Sequence, residues 1–343
     1  MRDARDAREE LRQEKRKDKD KSTERNAMGR RLRIDLEPAG EDKGSQQTNG
    51  KDKEIEHPKQ NVGVRATAKQ PRPKWPVMPI ISRSHLEKVD PRQVGGGSFG
   101  KCTREVYRGN IPVIVKRFHT GVKREEVKPE AAVMYSLQAQ EHHPCLPYFI
   151  GLNVTVKPYL IVSQFFGKAD ERYTLSKTVS SQLFASVSEW ASAFQSLAGG
   201  LTFIHEQNWL HNDLKQNNVV CHFAQNKWNV VIIDFGKACT VKSASKLEKP
   251  KKSSKFSWLA PEVVSSSHPP SPASDVFSLG YVIKYVLDKI GKLQGHGKLA
   301  SHFNEIALIA SECLLCNPSK RPTTRAVAKS LANSISCARK AKK

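Results

Sequence analysis

HNDLKQNNVV, residues 211–220, sets a carboxylate at Asp213, an ammonium at Lys215 and an amide at Asn218 in one short stretch, then turns apolar. Three polar groups of different chemistry followed by a buried run describe a reactive loop pinned by a strand. A second stretch, VVIIDFGKA (230–238), ends an apolar β run in Asp234, with Phe235 and Gly236 behind it. A carboxylate there can simply cap a turn. With Asn218 nearby it supplies hard oxygen ligands of the kind Mg²⁺ takes, usually one or two protein oxygens alongside phosphates.

Two further stretches lie upstream. VGGGSFGKC (94–102) fits G-x-G-x-x-G through Gly95, Gly97 and Gly100. Glycines let backbone N–H groups close on phosphate oxygens without a Cβ in the way; a plain turn is the alternative. A dinucleotide fingerprint would run on into a helix. Here CTREVYRG (102–109) reads as strand, which favours a hairpin lid over a nucleotide. In VIVK (113–116) an apolar β run closes on Lys116. A lysine there either snorkels to water or needs a buried partner. The helical pattern EEVKPEAAVMYSLQ (125–138) offers one. Val133, Met134 and Leu137 mark its apolar face, and Glu130 lies one turn before Met134 on the same side.

These stretches together resemble the protein kinases. The resemblance covers roughly residues 90–335. It runs through the glycine loop, Lys116, Glu130, HNDLKQNN and DFG (234–236), then APE (260–262), Asp275 in SDVFSLG and Arg321 in NPSKRPT. It implies an α+β bilobal protein-kinase fold, with a small β-rich N-lobe and a larger helical C-lobe. It also implies transfer of the γ-phosphoryl of ATP with Mg²⁺ to a protein hydroxyl. On that resemblance Asp213 orients the hydroxyl and takes its proton, and Lys215 steadies the moving phosphoryl. Asn218 and Asp234 hold metal, and Lys116, held by Glu130, positions the α- and β-phosphates. Val94, Gly95, Gly96, Gly97, Ser98, Phe99, Gly100 and Cys102 form the lid. Gln164 and Phe166 of SQFF (163–166) would meet adenine, with Ser163 as a small gatekeeper. His211 and Phe235 align the loop, and Glu262 with Arg321 form a structural ion pair.

Three departures from the family pattern matter. Asn212 stands where most members carry an arginine that answers an activation-segment phosphate, so dependence on that phosphate should be weaker. Cys102 replaces the usual valine, as packing. The segment from Asp234 to Glu262 is basic, rich in Ser and without Tyr; an acidic protein substrate or a solvated loop would both account for its charge. Lys215 points to Ser/Thr as the acceptor, whereas Trp258 resembles tyrosine kinases and the tyrosine-kinase-like group. A tyrosine-specific enzyme and a catalytically weak scaffold are the alternatives. The second is opposed by the presence of Lys116, Glu130, Asp213, Asn218 and Asp234 together.

Composition frames the rest. The chain has 343 residues, 57 Lys+Arg against 34 Asp+Glu and a formal charge of +23, with 38% apolar residues. Such a balance attracts anions without choosing among them. Residues 1–75, charge-dense and poor in aromatics, read as a disordered N-terminal tail; its clusters KRK and GRRLR read first as part of a solvated tail, with nuclear-import signals the alternative. The kinase-like region is set at 76–335 (N-lobe 76–163, hinge 164–168, C-lobe 169–335), and a basic C-terminal tail at 336–343. No run approaches the ~20 apolar residues of a membrane span, MRDARDAREE lacks the apolar core of a signal peptide, and nucleic-acid binding is not indicated. Seven scattered cysteines fit a reducing, intracellular setting, cytoplasmic and/or nuclear. Cys313 and Cys316 form a lone C-x-x-C, read as packing on an apolar helix.

Overall fold

The computed structural model describes residues 75–89, 93–97, 99–139, 141–168, 171–184, 186–250, 253–293 and 303–340. Of the tail read over 1–75, all but Trp75 lies outside them, as does Ser98 of the glycine loop.

The first half is a sheet. Strands β1 (Leu86–Glu87), β2 (Gln93–Gly97), β3 (Gly100–Tyr107), β4 (Ile111–Phe118), β5 (Phe149–Asn153) and β6 (Leu160–Gln164) pair antiparallel in the order β1-β3-β4-β6-β5, with β2 also on β3. The two-residue period decides what each face presents. In β4, Val113 and Val115 are fully buried and pack with Ile81, Tyr107, Ile150, Leu160 and Val162. Ile114 and Lys116 therefore point the other way. The sheet's β5 edge is not left bare. Residues 79–81 lie beside it, with Ile81 N–H on Leu152 O at 2.9 Å and Leu152 N–H on Pro79 O at 3.0 Å.

Helix α1 (Arg124–Gln138) packs against β5. Its start is capped by Glu126, which accepts from the Lys123 backbone N–H at 2.7 Å. Its buried stripe is Val127, Glu130, Ala131, Met134 and Leu137, so one carboxylate sits in an otherwise apolar helical face.

The second half is helical. After β7 (Tyr173–Thr174) and α2 (Leu175–Ser180), the long α3 (Val187–Glu206) buries Trp190, Phe194, Leu197, Leu201 and Ile204 at three- and four-residue spacing. Ser186 and Glu189 cap it reciprocally. Then come β8 (Trp209–Leu210), β9 (Val219–Ala224), β10 (Lys227–Ile232) and β11 (Cys239–Thr240). β10, β9 and β7 form one small sheet, and β11 pairs with β8. Helices α4 (Pro261–Val264), α5 (Pro272–Leu293), α6 (Asn304–Cys313) and α7 (Thr324–Lys340) complete the chain. None of the described helices is long and apolar enough to cross a membrane.

Two expectations need correction. α7 buries Val327, Leu331 and Ile335 against the core and runs on to Lys340, past the tail boundary drawn at residue 335. The added residues include Ala, Arg and Lys, all strong helix formers, so the basic end extends the helix. Cys313 is buried at the end of α6, where burial pushes its thiol up to about 12. Cys316 is exposed beyond that helix. The pair therefore does not share one packed face.

Candidate active site

A cleft of about 770 Å³ opens under the glycine hairpin, lined by residues of the sheet and of the helical half. Val94, Gly95, Gly96, Phe99, Gly100 and Cys102 line it from β2 and β3. Lys116 and Glu130 reach it from β4 and α1, Gln164 and Phe166 from the connection between the two halves. Asp213, Lys215, Asn218 and Asp234 come from the loops on either side of β9 and β10. Gly97 pairs with Gly100 at the hairpin tip.

The hairpin glycines are not equivalent. A Cβ on Gly100 would stand 2.2 Å from the Arg117 carbonyl oxygen, a backbone atom of β4. A Cβ on Gly95 would meet only the end of the Arg172 side chain, at 2.5 Å. Gly100→Ala should therefore cost about 1–3 kcal/mol, the usual range for overpacking, and displace the strand that carries Lys116. Gly95→Ala should melt close to the parent, because a flexible side chain can yield. Thermal unfolding of the two variants checks the contrast.

Alternation along β4 delivers Lys116 to the cleft, and the helical period of α1 delivers Glu130 opposite it. The Lys116 Nζ lies 2.7 and 2.8 Å from the two Glu130 oxygens and 3.2 Å from Asp234 Oδ1. Burial opposes the Lys116 ammonium, but the Glu130 and Asp234 carboxylates outweigh it and raise its pKa. Burial pushes the Glu130 carboxyl up. Burial would also raise Asp234, yet Lys116, His211 and the Gly236 backbone N–H together hold it below the usual carboxylate range. Asp234 keeps 43% of its side chain exposed, so this anion still faces the open cleft. Its φ of 68° is left-handed, a region Asp tolerates better than most residues.

The loop of residues 211–218 is held from below. Asp275, buried at the start of α5, accepts from the His211 and Asn212 backbone N–H groups at 2.8 and 2.9 Å and contacts His205 Nε2 at 3.0 Å. His211 packs edge-on to Phe235. Asn212, at φ 63°, donates its amide to Lys237 O at 3.1 Å and Cys239 Sγ at 3.2 Å. A neutral amide thus ties the loop to the segment after Asp234, at the position where an arginine was expected to answer a phosphate. Above it, Lys215 Nζ contacts Asp213 Oδ2 at 2.6 Å, and Asn218 Nδ2 donates to the Asp213 backbone oxygen at 2.8 Å and to Oδ2 at 3.1 Å. With its nitrogen held there, the Asn218 amide has its carbonyl oxygen to offer. Together with the Asp234 carboxylate this is a hard-oxygen donor set that suits Mg²⁺.

Two residues at the site were not singled out for it from sequence. Trp258 donates its indole N–H to Asp213 Oδ1 at 2.8 Å. Arg172, just past the connection, reaches back to the Val94 carbonyl at 3.3 Å and lines the cleft. Cys102 sits beside Lys116 in the β3–β4 register, and burial raises its thiol pKa, as packing rather than reactivity would have it.

Comparisons with known proteins give the family. The family model for the protein kinase domain matches residues 89–333. The chain is 24% identical over 246 residues to the serine/threonine/tyrosine-protein kinase HT1 of Arabidopsis thaliana, covering 66% of this chain and 61% of that one. It is 25% identical over 226 residues to the dual specificity protein kinase shkB of Dictyostelium discoideum, covering 66% and 33%. It is 28% identical over 259 residues to the human serine/threonine-protein kinase A-Raf, covering 67% and 40%. The matched part is less than two thirds of each of these relatives. The family match takes in every residue of the cleft described above, from Val94 to Asp275, and the chain belongs to the protein kinase family.

Proposed function

We propose that this chain is an active kinase that transfers the γ-phosphoryl of Mg·ATP to a Ser or Thr hydroxyl of a protein. The observation that carries the reading is the convergence on one cleft of two charged sets: Lys116–Glu130–Asp234 and Asp213–Lys215–Asn218. Phosphoryl transfer needs little covalent chemistry from the protein; it needs positioning and charge neutralisation. Lys116, kept in place by Glu130, binds the α- and β-phosphates under the glycine hairpin. Asp213 accepts a hydrogen bond from the substrate hydroxyl and takes its proton as the oxygen attacks. Lys215, already on Asp213, neutralises charge on the moving phosphoryl. Asn218 and Asp234 would hold Mg²⁺, which supplies further neutralisation of the phosphate charge. Gln164 and Phe166 border the end of the cleft where adenine would lie.

The substrate is expected to carry acidic residues near the acceptor. Lys237, Lys242, Lys246, Lys249 and Lys255 lie along the segment after Asp234, with Glu248 the single described acidic residue before the ion-paired Glu262, and this favours anionic partners. The six described cysteines are free thiols, which supports a reducing compartment, cytoplasm and/or nucleus.

A Tyr acceptor is the second reading, favoured by Trp258. Phosphoamino-acid analysis of a mixed Ser/Thr/Tyr protein substrate labelled from [γ-³²P]ATP separates the two. Label on Ser or Thr is the expected result; label confined to Tyr overturns the specificity.

A further inference from the structure

The two oxygens of Asp213 are engaged unequally. Oδ2 receives Lys215 Nζ at 2.6 Å and Asn218 Nδ2 at 3.1 Å. A carboxylate offers about four acceptor directions, two on each oxygen, so these donors fill Oδ2. Oδ1 receives the Trp258 indole N–H at 2.8 Å, which leaves it one open direction. We propose that Trp258 is the positioning residue of the base: its N–H locks the Asp213 carboxylate so that the open direction of Oδ1 receives the substrate hydroxyl. The inference rests on the kinase reading above and deepens it.

The bland alternative is that Trp258 only fills space beneath the APE stretch. Three contacts argue for more. The Trp258 backbone is itself fixed, because Ser278 Oγ on α5 donates to its carbonyl at 2.7 Å. The Lys215 ammonium sits over its ring, 4.7 Å from the centroid, so the same side chain orients both the base and the cation next to it. Its N–H also meets a carboxylate, and a hydrogen bond to an ionised acceptor is roughly twice as strong as one between neutral groups. The ring could be replaced by any aromatic. The donor could not.

The segment supplying this donor is anchored a few residues on. Glu262 in α4 is gripped by Arg321 through two bonds, at 2.7 and 2.8 Å. The geometry of the base therefore depends on the segment after Asp234 being seated, through the neutral Trp258 indole.

The test is Trp258→Phe in the full chain, which keeps a ring over Lys215 and removes the N–H. Steady-state transfer to a Ser/Thr substrate should show kcat lowered about tenfold or more, the worth of one hydrogen bond to a charged group. KM for ATP and the melting temperature should stay near the parent values. Unchanged or raised kcat overturns the proposal. So does a loss of kcat that comes with an equal loss of ATP affinity and thermal stability, because that is a packing defect. If the Phe variant fails to fold, 3-benzothienylalanine at 258, with sulfur in place of N–H and nearly the same shape, gives the same readings. A parent chain that transfers no phosphate defeats the kinase reading and this inference with it; a parent and a Phe variant of equal rate defeat only the inference.

Discussion

Asp213→Asn should abolish phosphate transfer while leaving the fold and nucleotide binding in place. The substitution changes one atom of a side chain held by Trp258, Lys215 and Asn218. The amide oxygen of Asn can still accept the Trp258 N–H. Its nitrogen, however, would face the Lys215 ammonium and the Asn218 amide, donors against a donor. The base is gone and the neighbouring cation loses its partner. General-base contributions of about 10²–10⁴-fold set the expected fall in kcat. Lys116, Glu130 and Asp234 form a separate set on the other side of the cleft, so binding of ATP should persist within a few fold. A variant that retains more than a tenth of parental kcat would show that the proton goes elsewhere.

Arg321→Met should produce the largest loss of stability. Arg321 is buried with its guanidinium in a two-bond grip on Glu262, and its other N–H groups reach the carbonyls of Ala273, Leu315 and Cys316 at 2.9, 2.8 and 3.2 Å. Methionine can fill much of the volume but satisfies none of these acceptors. The Glu262 carboxylate would be left buried and alone. Breaking a buried pair from one side costs about 3–5 kcal/mol, which for a domain of this size lowers the melting temperature by about 6–20 °C. Lysine at 321 should recover only part of this, having no planar fork to match the carboxylate. A melting temperature within about 2 °C of the parent would mean that the pair contributes specificity and little stability.

The parts of the site legible in the sequence are those that a local period announces. β4 alternates, so Lys116 had to share a face with Ile114 and oppose Val113 and Val115. The stripe on α1 picked Glu130 and left Glu125 and Glu126 to solvent. Asp213, Asn218 and Asp234 each border an apolar run that became β9 or β10. What escaped the reading is carried by long-range donors with no period. The Trp258–Asp213 bond and the Arg172–Val94 contact join distant segments, and nothing in either segment's pattern names the partner. The docking of residues 79–81 on β5 was hidden for a related reason: main-chain pairing leaves no trace in side-chain character. The C-terminal boundary at 336 follows the basic charge there; the Ala, Arg and Lys of 338–340 also carry helix propensity, and α7 runs through them. Asn212 is a mixed case. Its difference from the family was visible, but its left-handed backbone and its grip on Lys237 and Cys239 belong to the folded chain alone.

The central claim is that this cleft both binds Mg·ATP and uses it. The most direct measurement follows the full chain with [γ-³²P]ATP, a mixed protein substrate and saturating Mg²⁺, while a fluorescent ATP analogue reports binding in the same preparation. Binding together with label transferred to substrate, and loss of that label when Mg²⁺ is chelated, is the predicted result. ATP bound with no label transferred would contradict it, and would make the protein a nucleotide-binding scaffold with an intact-looking site.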